Sequence, residues 1–232
     1  MGSLSKTDTF LEAVKDRRSL YALGAESPIP DSKIEEIVKH AVTWAPSTYN
    51  VQSARAVVLF KENHQKFWDI AKKHMANIPL EGGMRAYMDG RLAGWRASYG
   101  TVLWFEDQEA LDALAQKNPM IGGMLTEWSD HSTGIHQFIG KNPNALISSS
   151  LRFVDTILTS TFFTVWTALE SEGLGANLQH FNFNPAITAE AKEEFKLPEQ
   201  WKLKAQLVFG KPQEEAKEKT FEPIEKRVLI KA

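Results

Sequence analysis

Apolar residues recur at three- and four-residue intervals over residues 9–17, with Phe10, Ala13, Val14 and Arg17 on one face, which predicts a first helix. Ser27-Pro-Ile-Pro30 breaks the chain, and Ser32-x-x-Glu35 reads as a capping box opening a second helix. That helix has the apolar face Ile34, Ile37, Val38, Ala41 and Val42, and Pro46 stops it. At Arg55-Ala-Val-Val-Leu-Phe60 the pattern becomes a continuous apolar run with β-branched residues, the form of a buried strand. Thr101-Val-Leu-Trp-Phe105 predicts a second strand and Lys204-Ala-Gln-Leu-Val-Phe209 a third, closed by Gly210. Helical periodicity covers 65–75 and, between the second and third strands, segments near 109–116, 120–138 and 165–172. Strands separated by helices without strict βαβ spacing predict an α+β fold, an α/β sandwich-type layer rather than a barrel. No repeat of fixed period occurs.

Composition narrows the class without choosing a function. The 232 residues are 43% hydrophobic and 24% charged, which excludes disordered, collagen-like and coiled-coil readings and suits a single domain over 1–232. A formal net charge of −2 gives no broad electrostatic footprint for nucleic acid or an anionic membrane, so any bound anion must be met by a few local cations. The chain has no cysteine, which removes thiolate chemistry and suits a reducing compartment. The N-terminal residues lack an apolar signal core, and the uncharged stretch Thr156–Leu169 is well short of the ~20 residues a spanning helix needs. A soluble protein of the cytoplasm or nucleus is expected.

Four clusters carry candidate chemistry. Asp16-Arg-Arg-Ser-Leu20 sets two guanidinium groups and a hydroxyl at a helix end, suited to a phosphate or a planar carbonyl edge. The same residues also fit a solvated helix terminus. Ala45-Pro-Ser-Thr-Tyr-Asn-Val-Gln52 places hydroxyls and amides in a loop before a strand, where paired donors and acceptors match a heterocyclic imide such as a flavin pyrimidine edge. Ordinary turn chemistry is the alternative. Gly173-Leu-Gly-Ala-Asn-Leu-Gln-His-Phe181 offers glycines that let backbone N–H groups approach a ligand, or simply a helix C-cap. The tail from 211 is a mixed-charge run in which Lys217, Lys219, Lys226 and Arg227 present local positive charge. The six histidines assemble no metal site: His131 and His136 are five apart, off the i, i+4 spacing, and no nucleophile elbow or Walker loop occurs.

In this order the clusters resemble the FMN-dependent nitroreductase family, most closely its fungal nitroreductase-like branch. The matching stretches are DRRSLYAL (16–23), WAPSTYNVQSARAVVL (44–59), TEWSDHSTGIHQF (126–138), GLGANLQHFN (173–182), AQLVFGKP (205–212) and EKTFEPIEKRV (218–228). The resemblance implies a homodimer, with a mostly antiparallel sheet wrapped by helices and an FMN at each subunit interface. It implies that Arg17, Arg18 and Ser19 hold the phosphate, ribityl chain and pyrimidine edge. Ser47, Asn50 and Gln52 would contact the ring system, with the Pro46-Ser47 side partly supplied by the other subunit. The backbone at Gln179 and His180 would approach flavin N5, and Lys217, Lys219 and Arg227 would be phosphate cations. It further implies an NADH- or NADPH-fed ping-pong oxidoreductase whose hydride enters and leaves at N5. The second substrate would be a flat electrophile such as a nitroaromatic or quinone, and no side chain would be catalytic. A catalytically weak flavin- or lipid-responsive regulatory protein on the same fold is the other reading.

One stretch departs from its surroundings. Residues 140–164 hold only Lys141, Arg152 and Asp155 as charges and separate HQF from VWTALE, which the family keeps nearly contiguous in one helix. Two origins are open: a lineage-specific loop, or an intron translated in frame, since a donor beginning GTAAG read after a G encodes Gly140-Lys141. Leu151, Val154, Leu158, Phe162, Val165 and Leu169 form a 3/4-spaced stripe, so a helix is expected to run from this segment into the native one.

Overall fold

The structure, a computed structural model, describes residues 5–125 and 160–231. Of the helical stretch predicted over 120–138, residues 120–125 hold a turn and a short 3-10 helix, Gly122–Met124, and 126–138 lie outside the described residues, as do residues 140–159 of the atypical segment. The described elements run α1 (Lys6–Asp16), β1 (Leu23–Gly24), α2 (Asp31–Trp44), β2 (Ala54–Phe60), α3 (Lys61–Ala76), α4 (Met84–Arg96), β3 (Gly100–Asp107), α5 (Gln108–Lys117), α6 (Ser160–Ser171), β4 (Gly175–Gln179), α7 (Pro185–Glu194) and β5 (Trp201–Pro212).

The sheet is antiparallel throughout its named strands, in the order β1-β5-β3-β2, with β4 also paired to β5. β3 lies at its centre and is buried along its whole length, with Leu103 and Phe105 on one face and Val102 and Trp104 on the other. The first face meets Phe67, Trp68 and Ala71 of α3, Leu92 and Trp95 of α4 and Ile187 of α7. The second meets Ile34, Val38 and Ala41 of α2 and Phe162, Val165 and Leu169 of α6. Helices therefore cover both faces, which is the α+β layered arrangement the pattern predicts. A buried polar trio sits inside the first face: the Trp68 indole donates to the Thr101 hydroxyl at 3.0 Å, and that hydroxyl meets His64 Nδ1 at 2.9 Å.

Several local expectations are corrected. The box at Ser32 does not cap α2. The helix starts two residues earlier, with Pro30 as an extended N-cap whose carbonyl accepts from Lys33, and Asp31 in the first turn accepts from the Tyr99 hydroxyl. A reciprocal box instead caps α1, where Ser5 and Asp8 exchange side-chain and backbone bonds. The apolar face predicted for α1 buries nothing, and Phe10 remains 62% exposed. β2 is an edge strand whose only buried residue is Leu59, so it is half covered rather than buried. β5 does not end at Gly210; it runs on to Pro212, because the absent side chain lets the Gly24 backbone of β1 pair there. A Cβ at Gly210 would lie 2.3 Å from the Gly24 carbonyl oxygen. Helices α4 and α7 and strand β4 have no counterpart in the sequence pattern. The signal for α7 was Asn184-Pro185, an N-cap whose Oδ1 accepts from Ala186 at 3.1 Å followed by proline at N1.

The described end of the atypical segment is continuous with α6. Phe162, on the predicted stripe, is only 1% exposed, and its ring centroid lies 5.0 Å from that of Trp104. Replacing Phe162 with Ala should cost about 3–5 kcal/mol of unfolding free energy in urea titrations, the usual price of a large core cavity. A loss below about 1 kcal/mol would show that Phe162 is not a structural part of this core.

Candidate functional site

α1 ends at Asp16, and Arg17 takes extended geometry with φ −60° and ψ 118°. The chain that follows lies along the free edge of β4: Ser19 bridges Ala176 in parallel, and the Leu20 N–H donates to the Ala176 carbonyl at 3.0 Å. The Asn177 side chain donates to the Leu20 carbonyl at 2.7 Å, so both backbone polar groups of Leu20 are bound by β4. The 175–179 segment is thus a strand, and its glycines have structural tasks rather than baring N–H groups to a ligand. Gly173 closes α6 at φ +83°, and a Cβ on Gly175 would strike Leu20 and Leu23 at 2.9 Å.

This pairing sets Arg17 against α6. Its guanidinium carbon stands 4.4 Å from the Trp166 ring centroid and 5.5 Å from that of Phe163. Glu170, one turn beyond Trp166, accepts the Arg18 N–H at 2.6 Å. Burial pushes the Glu170 carboxyl up to about 7, against the pull of the Arg18 N–H, the Arg17 charge and the Trp166 indole. Burial also lowers the affinity of the Arg17 guanidinium for its proton, and Glu170 opposes that. Arg17 Nε is buried with no hydrogen-bond partner, and so is Glu170 Oε1 beside it. The Arg18 guanidinium donates to the Lys217 carbonyl and so ties the tail to this corner.

The remaining predicted residues divide into two groups. Gln179 ends β4, and its side-chain amide donates to Asn177 Oδ1 at 2.8 Å. His180 follows, with its imidazole held below its ordinary pKa by burial and the Lys204 backbone opposing. Lys217 and Lys219 are exposed near this corner of the chain, Lys219 resting 5.3 Å from the Phe221 ring, and Arg227 is exposed further along the tail.

The Pro46–Gln52 loop lies elsewhere. The Ser47 hydroxyl accepts the Gln52 N–H at 3.0 Å, and Asn50 and Gln52 are exposed. Tyr49, Asn50 and Gln52 all have φ near +50° (49°, 53° and 51°), a backbone conformation that costs energy for any side chain and gathers at functional loops. The loop feeds β2 at Ala54, whereas Ser19 is level with Ala176, Phe209, Gly100 and so with Phe60, the other end of β2. Four inter-strand spacings, about 19 Å, separate the two edges of the sheet. One chain therefore brings Arg17, Arg18 and Ser19 together with the Lys217 backbone, and sets Gln179 and His180 at the other end of β4, while Ser47, Asn50 and Gln52 lie across the sheet.

Sequence reasoning missed Phe163, Trp166, Glu170 and Asn177. Glu170 carried one usable signal, an acidic residue beside the apolar stripe of α6. Among the described residues no cluster of histidine and carboxylate has the makings of a metal site, and no helix is long and apolar enough to cross a membrane.

Comparison with known proteins places this geometry. The Nitroreductase family model matches residues 14–140. HBN1 of Saccharomyces cerevisiae is 30% identical over 220 residues, covering 94% of this chain and 95% of that protein. The nitroreductase CinD from Lactococcus lactis, solved in complex with chloramphenicol, is 32% identical with a TM-score of 0.73 and covers 96% of this chain and 100% of its own. CinD is also solved in complex with 4-nitrophenol. A Desulfovibrio desulfuricans protein solved in complex with FMN shares the fold at 17% identity, with a TM-score of 0.60 over 99% of both chains.

A carboxyl whose pKa is raised on folding keeps its proton in the native state while the unfolded chain loses it, so its contribution to stability falls as pH rises from the ordinary carboxylate value through about 7. Between pH 5 and pH 8 the parent protein should lose urea-unfolding stability relative to Glu170→Gln. Parallel pH profiles for the two would remove Glu170 as a buried titrating group.

Proposed function

Because this chain belongs to the nitroreductase family and is an oxidoreductase, we propose that it binds FMN, takes hydride from NADH or NADPH and passes it to flat, electron-poor aromatics. Two of the CinD ligands, chloramphenicol and 4-nitrophenol, are nitroaromatic, which supports nitroaromatics as one acceptor class, with quinones sharing their flatness and electron demand.

The observation that carries the reading is the Arg17 corner. A half-buried guanidinium stacked on Trp166 keeps an unused donor at Nε, and a phosphate or carbonyl oxygen would satisfy it. Arg18 adds a second positive charge beside Arg17 and holds the Lys217 backbone there, so local cations of the kind a near-neutral chain needs for an anion meet at this corner. The Ser19 hydroxyl is exposed beside them, and the Gln179 and His180 backbone lies at the far end of the same strand. These residues fit a ligand with phosphate at one end and a planar polar ring at the other. FMN would supply the atom that takes up and gives out hydride; the protein binds, orients and excludes water.

The assembly we propose is a homodimer over a single 1–232 domain. The Ser47–Gln52 loop is too far from Arg17 within one chain, so its amides reach the ring only if the partner subunit brings them. Exposed apolar residues support the same reading: Trp44 is 74% exposed, Phe221 73% and Ile230 88%. Apolar groups strung along an otherwise charged tail are what an obligate partner surface would cover. The location we propose is the cytoplasm or nucleus, with which a cysteine-free chain is compatible.

The test is the visible spectrum of the purified protein with added FMN, followed by NAD(P)H oxidation with 4-nitrophenol or a quinone. Bound flavin and acceptor-dependent turnover are expected. Protein that ignores FMN would sink the reading and favour a regulatory role. Arg17→Ala should weaken FMN binding by about 1.5–3 kcal/mol, the value of a hydrogen bond to a charged group, and unchanged affinity would take Arg17 out of the site. Sedimentation should show a dimer that loosens when residues 213–232 are removed.

A further inference from the structure

Residues on one face of β4 and β5 form a row of carboxamides inside a face of the sheet that is otherwise lined by Leu103, Phe105 and Val208. Gln206 lies opposite Gln179 in the β4–β5 register and is fully buried, and its Oε1 accepts the Phe181 N–H at 2.7 Å where the chain leaves β4. Asn177, 1% exposed, stands two residues before Gln179 on the same face of β4. Its Oδ1 accepts from the Gln179 amide at 2.8 Å and its Nδ2 donates to the Leu20 carbonyl at 2.7 Å. An amide is the only neutral side chain of this size that accepts on one side and donates on the other.

Asn177 has no access to a ligand, yet it joins the two stretches that flank the proposed flavin. On one side is the chain from Arg17 to Leu20, which no named strand contains; its other ties are the Ser19–Ala176 bridge with the Leu20 N–H bond to Ala176, and the Arg18 bonds to Glu170 and Lys217. On the other is Gln179, the last residue of β4. Apolar side chains would fill this position without leaving buried polar atoms only if the Leu20 carbonyl and the Gln179 amide found other partners. We infer that Asn177 is a positioning residue: its buried carboxamide locks the Arg17–Leu20 segment to the end of β4, so that the phosphate-side and ring-side contacts of the flavin are held in one fixed geometry. The inference rests on the flavin reading above.

The Leu20 N–H, bonded to Ala176, reports the lock directly, even without flavin. In flavin-free protein, Asn177→Ala should speed hydrogen exchange at Leu20 by about tenfold, the worth of one buried hydrogen bond, while amides of β3 keep their protection. Its FMN dissociation constant, read by flavin fluorescence quenching, should rise by a similar factor, and the absorption bands of the bound flavin should shift. Asn177→Asp keeps an acceptor for Gln179 but loses the donor to Leu20; it serves as the second variant and should show the same fast exchange at Leu20. Unchanged Leu20 exchange, or faster exchange with unchanged FMN affinity and spectrum, overturns the inference and leaves Asn177 a packing residue. Parent protein that takes up no FMN overturns the functional reading, and with it the flavin role of Asn177, whatever the exchange shows.

Discussion

The site depends on how the chain between α1 and β1 is fastened to the free edge of β4. Leu20 gives its N–H to Ala176 and its carbonyl to Asn177, and the Arg18 N–H goes to Glu170. These three bonds take a stretch with no regular structure and turn it into an added edge. Arg17 then has little freedom: its backbone is extended, and its guanidinium lies over the Trp166 ring. Without this fastening, Arg17, Arg18 and Ser19 would be three polar residues at a frayed helix end. With it, they form a cationic corner at a fixed place on the sheet.

The fastening uses buried polar groups, and such groups are stabilising only when paired. An unsatisfied carbonyl or amide in this interior costs about 1–3 kcal/mol, so the Asn177 carboxamide, held between the Leu20 carbonyl and the Gln179 amide, favours one arrangement of the 17–20 segment and penalises others. Glu170 is the costliest member of the set. Its carboxyl is lifted by burial, and the Arg18 N–H and the Arg17 charge only partly offset that. Keeping such a group beside an arginine with an unused donor is a stability loss that makes sense where an anion is to be received.

The Ser47–Gln52 loop supplies the contrasting half. It sits at the opposite edge and the opposite end of the sheet from Ser19, carries three left-handed non-glycine residues and leaves Asn50 and Gln52 exposed. The loop is strained, polar and pinned by the Ser47 hydroxyl. Among the described residues, apolar side chains of α1, Trp44 and the tail are likewise exposed.

The periodic pattern was enough to find α2, α3, α5, the C-terminal part of α6 and the three long strands, because amphipathic spacing and β-branched runs are local properties of burial. It also located the cations, amides and glycine-rich turn that mark the family, since residue types at short spacing are visible in one dimension. What it misjudged were matters of partner and edge. β2 is only half buried because it ends the sheet, β5 runs through Gly210 because Gly24 lies against it, and α2 starts at Asp31 because Pro30 holds the entry. The roles of Asn177 and Glu170 were hidden for the same reason: Leu20 and Arg18, their partners, are 157 and 152 residues away. Composition and spacing thus determined which chemical groups the protein owns and in which local elements they sit. Only the tertiary structure decided which of them meet, because hydrogen bonds between distant segments depend on strand order and register, and a chain's local pattern contains neither.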